Sequence, residues 1–295
     1  MMRRMLPLLA LAALPAGAQT RDSTATTPNC RDCATWNAPH APFKVYGNTY
    51  YVGTNGLSAI LVTSPQGHVL VDGGLMESAR PIASSIRALG FRVEDVKLLL
   101  NSHVHYDHAG GLGELQRLSG ADVAASASSA DVLRRGTVGR DDPQYGIALP
   151  TDPLVRVRVV ADGDAVKVGS LALTAHRTAG HTPGGTSWSW TSCEGARCLS
   201  LVYGDSQSAV STDGFRYSNN TTYPQGLKDF EAGFRVLESL PCDILITPHP
   251  DASGLWERLA RRTAGESDAL RDSGACKAYA AGARERLAKR IASER

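Results

Sequence analysis

Residues 43–46, 49–52, 58–63 and 69–72 are short runs rich in Val, Tyr, Ile and Leu, separated by Gly or Asn turns, a pattern that predicts β-strands. The period then changes. Ala79, Ile82, Ala83, Ile86 and Leu89 recur at helical spacing and Gly90 closes the run, predicting a helix over 77–89. The apolar stretch 96–100 reads as a buried strand. Residues 113–118, 121–125 and 128–135 follow as helix, strand and helix. Residues 136–153 hold Gly, Asp, Pro, Gln and Tyr without periodicity, which predicts a surface loop and a candidate wall of a site. A second series begins with strands at 155–160, 165–168 and 171–176. A hairpin of strands 186–190 and 199–203 comes next, then an amphipathic helix over 227–240, a buried strand at 243–247 and a helical tail from Ser253 onward. Two half-similar blocks of strands and helices predict two sheets packed face to face with helices outside, built as one domain over 43–295. No sequence repeat accompanies them.

Length and composition agree with that count. A chain of 295 residues, 42% hydrophobic and 20% charged, buries a sizeable core and carries no signature of disorder. Its formal charge is +2, and Arg3 and Arg4 account for both units, so the remainder is near neutral. That balance speaks against a nucleic-acid partner held by a general positive field. Those two arginines belong to a basic start, Met1 to Arg4. An apolar run from Leu6 to Leu14 follows, too short to span a bilayer, and then Ala16-Gly17-Ala18, which has the form of a cleavage site. Residues 1–18 therefore read as a cleaved secretion signal of bacterial type, and 19–42 as an N-terminal segment whose Thr- and Ser-rich part, 19–29, is loose. The basic run Arg284-Glu285-Arg286-Leu287-Ala288-Lys289-Arg290 reads as the solvated face of an outer-layer helix.

Six cysteines suit an exported protein. Cys193 and Cys198 flank the hairpin turn, where a cross-strand disulfide is geometrically reasonable. Cys242 and Cys276 are a second plausible pair. Cys30 and Cys33 have redox-motif spacing but no thioredoxin-like surroundings, which leaves open a local pair or a free thiol.

The chemistry is concentrated in His103-Val104-His105-Tyr106-Asp107-His108, directly after the 96–100 strand. Imidazole nitrogen and carboxylate oxygen are a ligand set for zinc, with no thiolate nearby to close the site. An extended backbone points His103 and His105 to one side, and the turn beyond them brings Asp107 and His108 to a second point, so two adjacent metal ions are expected. His181, in Gly180-His181-Thr182-Pro183-Gly184-Gly185, and His249, in Thr247-Pro248-His249-Pro250, each follow a strand-like segment and can converge on the same sheet edge. His40, His68 and His176 lack such a setting.

With these residues in view, the chain resembles the metallo-β-lactamase superfamily. The carriers are Leu70-Val71-Asp72-Gly73-Gly74, the His-x-His-x-Asp-His run, the Gly-His-Thr-Pro-Gly loop, Gly204-Asp205 and a late His, over roughly residues 45–250. Within it the chain looks most like subclass B3. His108 stands where the first subclass has Arg, and Tyr203-Gly204-Asp205-Ser206-Gln207-Ser208 lacks a thiolate. The resemblance implies a four-layer αβ/βα sandwich with a zinc pair at one edge of the sheets. It assigns His103, His105 and His181 to the first zinc, and Asp107, His108 and His249 to the second. Asp72 becomes a structural hydrogen-bonding residue, Ser206 and Ser208 become substrate-binding, and Asp107 doubles as the catalytic group that orients the nucleophile. Gln144 and Tyr145 are further candidates for substrate contact.

The implied reaction is hydrolysis of the β-lactam amide of penicillins, cephalosporins and carbapenems by a metal-bound hydroxide, giving antibiotic resistance. Zinc lowers the pKa of its water to about 7, against ~9 for aqueous zinc, so hydroxide is available at neutral pH. The implied protein is periplasmic and monomeric, with no membrane partner after signal cleavage. No Ser lies three residues before any Lys, so the serine β-lactamase motif is absent, and no Gly-Lys pair forms a P-loop. The rival inside the fold is a lactonase or glyoxalase II-like thioesterase, in which Asp205 would bridge the metals. A closed structural zinc site is the rival outside catalysis.

Overall fold

The computed structural model describes residues 30–294; the expected secretion signal and residues 19–29 lie outside them. Seven strands form the first sheet in chain order: β1 (Phe43–Tyr46), β2 (Thr49–Tyr51), β3 (Ile60–Val62), β4 (His68–Val71), β5 (Val96–Leu100), β6 (Asp122–Ala125) and β7 (Val157–Val159). The first four pair antiparallel through short turns. From β4 to β7 the pairing is parallel, because helices carry the chain back over one face. The second sheet has five strands in the order β12-β11-β10-β9-β8: β8 (Ala165–Val168), β9 (Leu171–Arg177), β10 (Thr186–Glu194), β11 (Arg197–Tyr203) and β12 (Ile244–Ile246).

Both faces of each sheet are covered, and the two-residue side-chain period sorts each strand between them. Ile60, Val62, Val69, Val71, Leu98 and Leu100 point inward and meet Leu201, Tyr203, Ile244, Ile246 and Trp188 of the second sheet. The residues between them, Leu61, Leu70 and Leu99, point outward. There they pack on Ile82 and Ile86 of α2 (Ala79–Ala88), Leu112 and Leu115 of α4 (Leu112–Ser119) and Leu133 of α5 (Ala127–Arg135). Val202 and Leu245 do the same for the second sheet, against Phe230, Phe234 and Leu237 of α6 (Gly226–Ser239) and Tyr279, Ala280 and Ala283 of α8 (Ala275–Ala292). The result is the four-layer αβ/βα sandwich. Each fully buried Leu, Ile or Phe contributes about 1.5–3 kcal/mol, so the alternation fixes the register of every inner strand.

Several boundaries shift by one to four residues from the sequence pattern. The 155–160 run pairs only over β7, and the hairpin strands extend through Glu194 and from Arg197, past the two cysteines. The tail divides into α7 (Leu255–Thr263) and α8. Two one-turn helices, α1 (Cys33–Trp36) and α3 (Tyr106–Ala109), have no sequence signal, because four residues cannot display helical periodicity. All three cysteine pairs are bonded: Cys30–Cys33, Cys193–Cys198 and Cys242–Cys276. Among the described residues no helix is long and apolar enough to cross a membrane.

Candidate metal centre

The inner strands end together at one edge, and the histidines leave from there. At the end of β5 the chain turns over the buried carboxylate of Asp72. Its oxygens accept from Ser102 N at 2.8 Å, Ser102 Oγ at 2.6 Å and Tyr203 OH at 2.9 Å. Asn101 clamps the next step, donating from Nδ2 to His103 O at 2.6 Å, while its own carbonyl accepts from Trp188 Nε1 at 3.1 Å. His105 then opens α3, which carries Asp107 and His108. The α3 turn lies against the segment after β4: Gly73 N donates to His108 O at 2.9 Å, and a side chain at Gly111 would collide with the Gly73 carbonyl. Glycine at that crossing is what allows the motif to sit down on the sheet edge.

His181 arrives from the loop between β9 and β10, and His249 from just beyond β12. The donor atoms of His103, His105 and His181 all lie within 4.8 Å of one another, and so do those of His103, Asp107 and His108. Asp107 Oδ2 stands 3.2 Å from His108 Nε2 and 3.3 Å from His249 Nε2, and the His108 and His249 rings are 4.9 Å apart. All six residues that the sequence singled out as ligands therefore lie close together: the two groups overlap at His103, whose ring is 4.3 Å from that of His108, and His249 belongs to neither group but adjoins the second through Asp107 and His108.

The first three imidazoles are each anchored by one nitrogen. His103 Nδ1 is 2.8 Å from Asp205 Oδ1, His105 Nε2 is 3.1 Å from Asp142 Oδ1, and His181 Nδ1 is 2.8 Å from the Ser208 carbonyl. The opposite nitrogens face one another: His105 Nδ1 and His181 Nε2 are 3.1 Å apart, and His103 Nε2 is buried with no partner. His108 Nδ1 is likewise buried with no partner, and its Nε2 has only the Asp107 carboxylate beside it. Buried polar atoms left without partners cost about 1–3 kcal/mol each, so a cluster of them facing one point marks the place of a bound cation.

The electrostatics agree with a metal there. Burial, reinforced by the neighbouring imidazoles, holds His103 well below the ordinary imidazole range, and burial with His105 beside it lowers His181 to about 3. Both are neutral at pH 7, the form that offers a lone pair. Burial alone would raise Asp107, but His108 and His249 more than offset it and hold the carboxyl well below its usual range. His249 is raised in return by its contact with Asp107, against the effect of burial. Burial pushes the Asp205 carboxyl well up, and its Oδ1 sits against the neutral His103.

The remaining residues singled out in the sequence lie around this centre. Ser206 and Ser208 line a cavity of about 250 Å³ together with His249, Thr247 and Tyr279. Gln144 turns inward, Nε2 3.3 Å from His105 Nδ1, whereas Tyr145 is 45% exposed and stacks beneath Arg140. Asp205 lies behind His103, its second oxygen against Gly185, where a side chain would collide with it. Two contacts had no sequence signal. Asp142 is one acidic residue of several in an aperiodic loop, and Trp36, 5.1 Å from the His249 ring, comes from the N-terminal segment.

The comparisons place this centre in a family. Residues 52–195 match the model of the metallo-beta-lactamase superfamily. The solved Rm3 metallo-beta-lactamase is 58% identical, with a TM-score of 0.89 over 90% of this chain and 99% of that one. MEM-A1, a subclass B3 metallo-beta-lactamase isolated from a soil metagenome library, is 52% identical, with a TM-score of 0.86 over 88% of this chain and 98% of that one. This chain is a subclass B3 metallo-β-lactamase. A hydroxyacylglutathione hydrolase of Bradyrhizobium sp. (strain ORS 278) is 36% identical over 104 residues, but the match spans only 35% of this chain and 32% of that enzyme's length. The subclass B3 likeness, in contrast, runs through both sheets and both helix layers. Membership makes the chain a hydrolase, and the histidine cluster at the sheet edge its metal centre.

Proposed function

We propose that this chain hydrolyses the amide bond of penicillins, cephalosporins and carbapenems with two zinc ions per chain. His103, His105 and His181 would hold the first ion, and Asp107, His108 and His249 the second. The observation that carries the reading is the arrangement of nitrogens. Three imidazoles, of which His103 and His181 are neutral at pH 7, are tethered from outside and turn their opposite nitrogens to one point, beside an anionic Asp107. No cysteine takes part, as all six are paired in disulfides, so an oxygen or nitrogen donor set suited to an open catalytic site is what remains. Zinc bound there supplies Lewis acidity, which brings the pKa of water near neutrality and polarises a carbonyl oxygen.

The chain's own groups do the rest. Asp107 stays ionised, so its carboxylate can accept a hydrogen bond from the attacking water and orient it. Ser206 and Ser208 present hydroxyls to the cavity beside His249 and are assigned to the carboxylate of the substrate. Asp205 argues against the thioesterase alternative: one oxygen is taken by His103 and the other is turned toward Gly185, so it holds a ligand in place instead of standing between two metals. Three disulfides favour an oxidising compartment, and with the N-terminal secretion pattern they support a periplasmic location.

The test is hydrolysis of a carbapenem and a chromogenic cephalosporin by purified, zinc-loaded protein, with and without a chelator. Opening of both rings, abolished by the chelator and restored by zinc, is expected. Inactivity on both, with two zinc ions found by metal analysis, would move the assignment to a lactone or thioester.

A further inference from the structure

We propose that Asp142 is a positioning residue for the first metal site, and that through it the loop over 136–153 sets how tightly that site holds its ion. This rests on the reading above that His103, His105 and His181 hold zinc. Asp142 is 3% exposed and His105 2%, and Asp142 Oδ1 lies 3.1 Å from His105 Nε2. The same oxygen accepts from Gln144 N at 2.8 Å, so the loop backbone fixes the carboxylate before it meets the imidazole. Gln144 Nε2, an amide nitrogen and so a donor only, lies 3.3 Å from Nδ1 of the same ring.

The two contacts select one tautomer. A carboxylate that accepts at Nε2 requires the proton there, and an amide that donates at Nδ1 requires a lone pair there. His105 is thus held with Nδ1 unprotonated and aimed at His181 Nε2, 3.1 Å away. Asp205 does the corresponding work for His103 from β11's end, and the Ser208 carbonyl for His181. Of the three anchors only that of His105 comes from the aperiodic loop. Further hydrogen bonds tie that loop down: Thr212 N donates to Pro143 O at 2.9 Å and Thr151 N to Gly136 O at 2.9 Å. Its composition therefore bears on metal affinity as well as on substrate.

The second oxygen of Asp142 is buried without a partner, and the residue lines a cavity of about 150 Å³ with Ser129, Arg135 and Pro183. An Asn at this position puts its amide nitrogen where no existing hydrogen bond is lost, and keeps an oxygen to accept from His105. Asp142→Asn therefore removes the charge alone, and Asp142→Ala removes charge and hydrogen bond together.

Apo forms of the full protein and both variants would be titrated with zinc against a chromophoric chelator, and their cobalt-substituted spectra recorded. Loss of a second partner of a ligating histidine costs about 10–100-fold in metal affinity. That loss is expected in D142A for one of the two equivalents, with an altered cobalt spectrum, and D142N should fall between D142A and the parent. Unchanged affinities and spectrum in D142A would overturn the proposal. So would an equal weakening of both equivalents accompanied by a lower thermal midpoint of the apo protein, the mark of a general loss of fold. If D142A does not fold, D142N decides: selective weakening of one equivalent supports the role, and none overturns it. A parent protein that takes up no zinc would instead refute the metal assignment itself.

Discussion

Asp72 shows how much a single residue can hold in place. It is one of two non-glycine residues with positive φ among those described, at 60°, a conformation that Asp tolerates better than most side chains. From there its fully buried carboxylate collects donors from Ser102 and Tyr203, and so sets the turn that aims His103. Burial pushes its pKa up, and His108, Ser102 and Tyr203 offset part of that rise. Asp72→Ala should cost about 3–5 kcal/mol, since it orphans several buried donors at once. Asp72→Gly relaxes the backbone but orphans the same donors, so urea denaturation should find it nearly as damaging. If glycine were instead neutral, backbone conformation and not hydrogen bonding would be the contribution of Asp72. At the metal centre, His181→Ala removes one of the three converging imidazoles. It should lower turnover by more than about 100-fold and reduce the zinc bound per chain, read by steady-state kinetics and metal analysis.

At the scale of elements, the C-terminal helix is the one most dependent on staples. Helix α8 buries Tyr279, Ala280, Ala283 and Leu287 against α6 and β12, and the Cys242–Cys276 bond fastens its first turn. Chain entropy makes that bond, across 34 residues, worth about 3–4 kcal/mol, and the Cys193–Cys198 bond, across 5, about 2. Paired Cys→Ser replacement of each, followed by thermal unfolding, should rank them in that order. At the far end of α8, Glu294 accepts from Tyr217 N at 3.0 Å and Ser218 N at 2.9 Å and pairs with Arg290 at 3.0 Å. Burial would raise its pKa, but these donors more than offset it and leave it below the ordinary 4.5. A depressed carboxylate pKa contributes stability that is present above 4.5 and is lost as the pH falls through the lower, folded-state value. Glu294→Gln should therefore be less stable than the parent at pH 7, with the gap closing below about pH 4. A gap that stayed constant on acidification would show that the charge is not what holds the helix end.

For the molecule as a whole, zinc should act as a fastener between the two sheets, because the histidines come from the ends of strands in both. Any ligand that binds only the folded form stabilises it by mass action, about 4 kcal/mol at a thousandfold excess over Kd. Chelation should lower the thermal midpoint by several degrees, and added zinc should restore it. A midpoint indifferent to metal would mean that the packed core alone fixes the sheet edge. Much of this was legible in the chain. The strands from 43–46 to 96–100, helix 79–88 and helix 226–239 announce themselves because each has one face in the core, and burial imposes a period of two or of 3.6 on their residues. The ligand-type residues stood out because imidazoles and carboxylates rarely crowd without a cation to satisfy them. Their partners did not stand out. Asp142 and Trp36 act on His105 and His249 from 37 and 213 residues away, and a single contact from a loop leaves no periodic trace; Asp205 was marked by the Gly204-Asp205 signature, though not as the partner of His103, 102 residues away. Sequence alone determined which segments form strands and helices and which residues are fit to bind a metal, because local chemistry and burial period are written along the chain. Only the tertiary structure decided which nitrogen of each histidine is free and which loop holds it, because those choices depend on acceptors that meet only when the two sheets close on each other.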